Sequence, residues 1–97
     1  MKIIYENKIL TVQLSGEIDH HNARSIRQAV DADIEKCRPK MLVLDFGRVK
    51  FMDSSGIGLI MGRYRMMKLV GGGVRIENVP AHLERIIALS GVRQITQ

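Results

Sequence analysis

Residues 41–69 read MLVLDFGRVKFMDSSGIGLIMGRYRMMKL, and this stretch decides the fold. Met41-Leu42-Val43-Leu44 is a continuous apolar run of strand length, the pattern of a strand covered on both faces. Asp45-Phe46-Gly47-Arg48 reads as an interruption, after which Val49 to Met52 resumes extended character. Beyond Asp53-Ser54-Ser55-Gly56 the period changes, and Ile57, Ile60, Met61, Tyr64 and Met67 or Lys68 trace one face of a helix. Gly71-Gly72-Gly73 stops that helix, because glycine readily takes the left-handed conformation that a helix C-terminus favours. A strand, a turn carrying two serines and a helix in direct succession make one α/β unit.

Upstream, Ile3 to Tyr5 and Ile9 to Leu14 are β-prone runs separated by Glu6-Asn7-Lys8, which reads as a hairpin. Leu10, Val12 and Leu14 alternate with Ile9, Thr11 and Gln13, a period of two. Ser15-Gly16-Glu17-Ile18-Asp19 is expected to leave the sheet as a loop. From about Asn22, the residues Ile26, Val30, Ile34 and Cys37 fall on one helical face. Asp19, His21 and Asn22 all lie where an N-cap is wanted. Arg38-Pro39-Lys40 ends that helix, since proline lacks an amide donor and restricts the residue before it.

Downstream, Val74 to Glu77 reads as a short strand, and Pro80 sits as the first residue of a third helix carrying Leu83, Ile86 and Ile87. Ser90-Gly91 stops it, and Val92 to Ile95 is expected to form a last short strand. The expected order is β-β-α-β-α-β-α-β, an α/β fold with a mixed sheet and helices packed on it.

The chain has 97 residues, the size of one domain, so residues 1–97 are read as a single unit. With 45% hydrophobic and 26% charged residues its composition is that of a globular protein. No stretch approaches the ~20 apolar residues of a membrane-spanning helix. The N-terminus meets Glu6 too early for a signal-peptide core, and Cys37, the single cysteine, suits a reducing compartment. A cytoplasmic location is expected. The net charge of +5 raises nucleic acid as a partner, but the arginines are scattered and the four aromatics do not interleave with them as a stacking platform would. Arg63 and Arg65 face either an acidic partner or water. No direct nucleic-acid or membrane partner is expected.

The chemistry lies at Asp53-Ser54-Ser55-Gly56-Ile57-Gly58. Two adjacent hydroxyls stand where a strand ends and a helix begins. A serine there caps a helix, and the same position suits a phosphate, because free N–H groups and the positive end of the helix dipole meet there. Phosphorylation adds about −1.5 to −2 charges, enough to reverse the local surface without unfolding the domain.

With Gly16-Glu17-Ile18-Asp19-His20-His21, Gly62-Arg63-Tyr64 and Leu89-Ser90-Gly91 in the same order along nearly the whole chain, this segment resembles the sulfate-transporter and anti-sigma-antagonist (STAS) family, and within it the sporulation anti-sigma factor antagonists. The resemblance implies partner switching. The unphosphorylated protein binds an anti-sigma factor that is also a serine kinase and so frees a sigma factor; the kinase phosphorylates the first serine of the pair, and a serine phosphatase resets it. Carried to this sequence, the acceptor is Ser54. Asp19, His20, Asp53, Ser55, Gly56, Ile57 and Gly58 form the partner-binding surface. In physical terms Asp53 holds the loop through hydrogen bonds, Ser55 caps the helix, and Gly56 and Gly58 let a partner backbone come close. No enzymatic activity and no cofactor are expected. A different module of the same fold, stressosome-type or transporter-associated, is the alternative, binding a protein or nucleotide without a sporulation role.

Three other chemistries fit less well. Gly56-Ile57-Gly58-Leu59-Ile60-Met61-Gly62 is one residue longer than a dinucleotide fingerprint, and the chain lacks the second half of such a site. Ser54 and Ser55 lie in no GxSxG elbow. His20 and His21 have no third ligand spaced for a metal.

Overall fold

The computed structural model describes all 97 residues, Met1–Gln97. Two strands, β1 (Lys2–Glu6) and β2 (Ile9–Ile18), are followed by α1 (Ala23–Cys37), β3 (Met41–Met52), α2 (Ser54–Leu69), β4 (Gly73–Glu77) and α3 (Ala81–Ser90). A single 3-10 turn, Val92–Gln94, ends the ordered elements. The order is therefore β-β-α-β-α-β-α, and the expected last strand is absent. Val92 is buried in the core as part of the 3-10 turn that follows Gly91, whose φ of +78° turns the chain sharply back. The peptide then returns to the sheet only at Gln97, whose N–H donates to the Val74 carbonyl.

The four strands lie side by side in the order β1-β2-β3-β4. The first pair is antiparallel, the other two parallel, so the sheet is mixed as expected. Leu10, Val12 and Leu14 of β2, Leu42, Leu44 and Phe46 of β3, and Val74 and Ile76 of β4 alternate onto one face. There they join Val30 and Ile34 of α1, Leu59, Ile60 and Met67 of α2, and Leu83 and Ile87 of α3 in a single core. Val43 is buried on the opposite face, outside that core, flanked by its register partners Thr11 and Arg75. The apolar run at 41–44 thus marks a central strand, not one with helices on both sides.

Two expected breaks in the sheet are continuous strand. Ser15 to Ile18 belong to β2, and Asp45 to Arg48 belong to β3. The pairing shifts register between Gln13 and Ser15 and again between Gly16 and Glu17, so β3 carries an extra residue at each point. These are bulges, and they explain the polar interruption: Asp45 turns its carboxylate back to accept from the Gly47 N–H at 2.8 Å. After the bulges the buried positions of β3 are spaced by three, at Phe46, Val49 and Met52, instead of two.

At the other end of β3, Gly72 passes so close to the preceding loop that a Cβ would lie 2.8 Å from the Lys40 carbonyl oxygen. Gly73 N–H donates to that same carbonyl, setting β4 in register with β3. Pro80 is the N-cap of α3, one residue before the helix, not its first residue.

Candidate functional site

The parallel pairing of β2 with β3 decides where the site forms. Glu17 pairs with Phe51 and Ile18 with Met52, so both strands end at the same level. The loops that follow, 19–22 and the turn at Asp53, therefore share the carboxyl end of the sheet, the usual binding edge of an α/β fold. They are tied directly, because the Asp53 N–H donates to the Ile18 carbonyl at 3.1 Å.

Loop 19–22 is ordered by its own side chains. The Asp19 carboxylate accepts from the His21 and Asn22 backbone N–H groups at 3.0 and 3.1 Å. Asn22 in turn accepts from the Asp19 N–H and donates to the Glu17 carbonyl. Asn22 occupies the N-cap position of α1, but its side chain is spent on this loop and makes no cap hydrogen bond. The rings of His20 and His21 lie against each other, 4.1 Å apart.

Asp53 is the N-cap of α2. Its backbone is extended and its carboxylate accepts from the Ser55 N–H at 2.7 Å. The cap expected of Ser55 is thus supplied by Asp53, and both serines lie in the first helical turn. That N–H, together with the Ser55 hydroxyl and nearby His20, holds the Asp53 carboxyl below its ordinary value, against a weaker opposing effect of burial. The interaction with His20 places the two loops within electrostatic reach of each other.

Ser54 is exposed, while Ser55 is half-buried. Gly56 is buried, and the space where a side chain would stand is filled by Met52: a Cβ there would overlap Met52 Cγ and Sδ. Its lack of a side chain serves packing between α2 and β3, not approach by a partner. Gly58 is the opposite case, exposed with open space around its Cα. Ile57 is half-buried and packs against the core. The surface at this end therefore comprises Asp19, His20, Asp53, Ser54, Ser55 and Gly58, with Gly56 and much of Ile57 beneath it.

Arg63 faces neither water nor the outside of the molecule. It is 6% exposed, the one charged residue among the buried set, with Nε 2.7 Å from Oδ1 of Asp31 on α1. Burial pulls its proton affinity down while Asp31 supports the charge. In Asp31, burial raises the carboxyl's pKa and outweighs the opposing pull of Arg63 and Arg27. No signal in the sequence separates this arginine from the solvated ones, because its partner lies on another helix.

The family model for the STAS domain matches residues 2–96. An anti-sigma F factor antagonist of Paenibacillus polymyxa is 37% identical over 87 residues, covering 90% of this chain and 74% of the relative. The solved structure of the anti-sigma factor antagonist SpoIIAA in its unphosphorylated form superimposes with a TM-score of 0.86 at 28% identity, over 99% of this chain and 84% of the other. The phosphorylated form of the Bacillus cell fate determinant SpoIIAA superimposes with a TM-score of 0.77, over 99% of this chain and 87% of the other. The chain belongs to the STAS domain family and, within it, to the anti-sigma factor antagonists. Proteins of this kind regulate by binding; they are not enzymes.

Proposed function

We propose that Ser54 is the phospho-acceptor of a partner switch. In its unmodified state the chain binds an anti-sigma factor that is also a serine kinase, through Asp19, His20, Asp53, Ser55 and Gly58, and thereby frees a sigma factor. The kinase moves the γ-phosphoryl group of ATP to Ser54: the Oγ–P bond forms, the bond to the bridging oxygen breaks, ADP leaves and the hydroxyl proton is lost. A serine phosphatase hydrolyses the ester and resets the switch. All of this takes place in the cytoplasm.

The observation that carries the reading is the asymmetry of the serine pair. Ser54 stands exposed in the first turn of α2, while Ser55 is half-buried with its N–H held by Asp53. A kinase meets one hydroxyl on a loop already fixed in place. The helix N-terminus tolerates the new dianion, but Asp53 beside it and the partner facing it meet a reversed surface. That both forms of SpoIIAA superimpose on this fold supports a change of surface over a change of fold.

Intact mass after incubation with ATP and a sporulation-type anti-sigma kinase tests it, with Ser54→Ala and a known substrate alongside. One phosphate on the parent and none on Ser54→Ala is expected. Modification of Ser54→Ala, or no modification while the control substrate reacts, overturns it. Ser54→Asp is expected to weaken binding to the anti-sigma factor at least about tenfold with an unchanged circular dichroism spectrum.

A further inference from the structure

The sheet has two outer strands, and their free edges are finished differently. On β4 the returning chain is tied down, with the Gln97 N–H donating to the Val74 carbonyl. On β1 nothing is. That strand pairs with β2 alone, and no backbone hydrogen bond joins Lys2–Glu6 to any other segment. Alternate N–H and C=O groups along its outer side therefore face water.

Natural edges are commonly blunted by a proline, a bulge or a charge in mid-strand. β1 has none of these: its centre is Ile3-Ile4-Tyr5, and it runs in unbroken register with β2 from Lys2↔Gln13 to Glu6↔Ile9. The turn closing the hairpin is only Asn7 and Lys8, both at positive φ, so no long loop is present to fold over the edge. Met1, Ile4 and Tyr5 make up half of the six large apolar side chains that stand exposed on this molecule. Ile3 and Tyr5 lie on the helical side of the sheet with Val12 and Leu10, and Ile4 lies on the other.

Charge decides what fits such an edge. Lys2 and Glu6 are exposed, take part in none of the ion pairs, and stand symmetrically about Ile4. Laid antiparallel against a second copy about Ile4, β1 puts Lys2 opposite the partner's Glu6 and Glu6 opposite the partner's Lys2. Ile4 meets the partner's Ile4, and Ile3 meets the partner's Tyr5. Opposite charges directly across a strand pair attract, whereas a parallel pairing would set lysine on lysine and glutamate on glutamate. A slip of two residues in either direction takes both charges out of register.

We infer that β1 is the interface of a homodimer, joining two four-stranded sheets edge to edge about a two-fold axis at Ile4. β1 is antiparallel to β2, and the two β1 strands are antiparallel to each other, so the two copies of β2 run in opposite directions. The Ser54 loops then lie at opposite ends of the joined sheet, each open to its own partner, and the dimer is independent of the switch. Two short edges bury little area, so the dissociation constant is on the order of 100 µM.

Sedimentation equilibrium of the chain from about 10 µM to about 1 mM, at low ionic strength, tests it. A monomer–dimer equilibrium is expected. Lys2→Glu and Glu6→Lys each convert two attractive pairs into two repulsive ones, and each is expected to self-associate at least about tenfold more weakly. Mixed one to one, these variants have complementary edges and are expected to pair with each other. The double variant Lys2→Glu/Glu6→Lys restores both pairs and is expected to return to within about threefold of the parent. All these substitutions are at exposed positions, so circular dichroism is expected to be unchanged. A parent that stays monomeric throughout overturns the proposal, as do single variants that dimerise as well as the parent. General charge repulsion predicts that Lys2→Glu, which lowers the net charge of +5, associates more tightly; that outcome, or a double variant no tighter than the singles, also overturns it.

Discussion

Helices α1 and α2 are almost equal in length, 15 and 16 residues, and they pack on each other and on the same face of the sheet, yet they use their surfaces differently. α1 buries only Val30 and Ile34, with Ile26 and Cys37 half-covered and charged residues on the remaining face. α2 buries Gly56, Leu59, Ile60, Arg63 and Met67, and half-buries Ile57, Met61, Tyr64 and Met66 around them. α1 meets β2 and α2 and leaves the rest of its circumference in water. α2 sits between α1, β3, β4 and the C-terminal 3-10 turn, and so is covered on several sides. A helix with one neighbouring layer needs one stripe; a helix in the middle of its layer needs apolar character nearly all round.

The sharpest way to break that comparison is to truncate α2 on two adjacent positions. Ile60 is fully buried in the core and Met61 only half-buried. Ile60→Ala is expected to cost about 2–5 kcal/mol in urea unfolding, and Met61→Ala less than about 1.5 kcal/mol, at unchanged m. Equal costs would place the seam of α2 on the other side.

A smaller effect separates the helix starts, since α2 has a side-chain cap and α1 has none. Asp53→Ala is expected to lower the thermal midpoint on the order of 5 °C at neutral pH. The parent shows the same dependence with acid. A carboxyl whose pKa is lower in the folded than in the unfolded chain stabilises above its ordinary value of 3.8, and that stabilisation fades as pH falls through the folded value. Parent and variant are therefore expected to converge in midpoint as pH falls below the ordinary carboxylate range; a constant gap down to pH 2 would mean the cap is not ionic.

The smallest effect runs the other way. Gly58 is exposed inside α2 with room for a methyl group, so Gly58→Ala is expected to stabilise by about 0.4–1 kcal/mol in the same urea assay. A loss would show that the α2 surface is more crowded than it looks.

This contrast also explains what was legible in the chain. The stripe of α1 is visible at Ile26, Val30, Ile34 and Cys37, because polar residues separate these positions. In α2 the expected face of Ile57, Ile60, Met61, Tyr64 and Met67 is turned by about one residue from the buried one. Apolar residues surround that helix, so hydrophobicity alone does not fix its rotation, and two of its buried positions are a glycine and an arginine. The bulges of β3 were hidden for a related reason, since Asp45 and Gly47 look like a break when the backbone only kinks. The turn at Asp53 is local, and its cap and exposed serine follow from adjacent residues. The pairing of Arg63 with Asp31 is not local: the two stand about thirty residues apart, and in one dimension both look like part of an ordinary solvated surface.

The strand order β1-β2-β3-β4 has a consequence for how the molecule is made. Every strand pairs with the strand just before it in the chain, so the sheet grows at a single edge and never opens to admit a later segment. As the chain leaves the ribosome, both strands of the hairpin emerge before α1, and each later strand has its pairing partner already synthesised. Loop-closure costs stay small at every step, which favours rapid assembly even though two of the three pairings are parallel. Only the return of Gln97 to Val74 comes after α3 and the 3-10 turn, a clasp on a structure otherwise built in the order it is read.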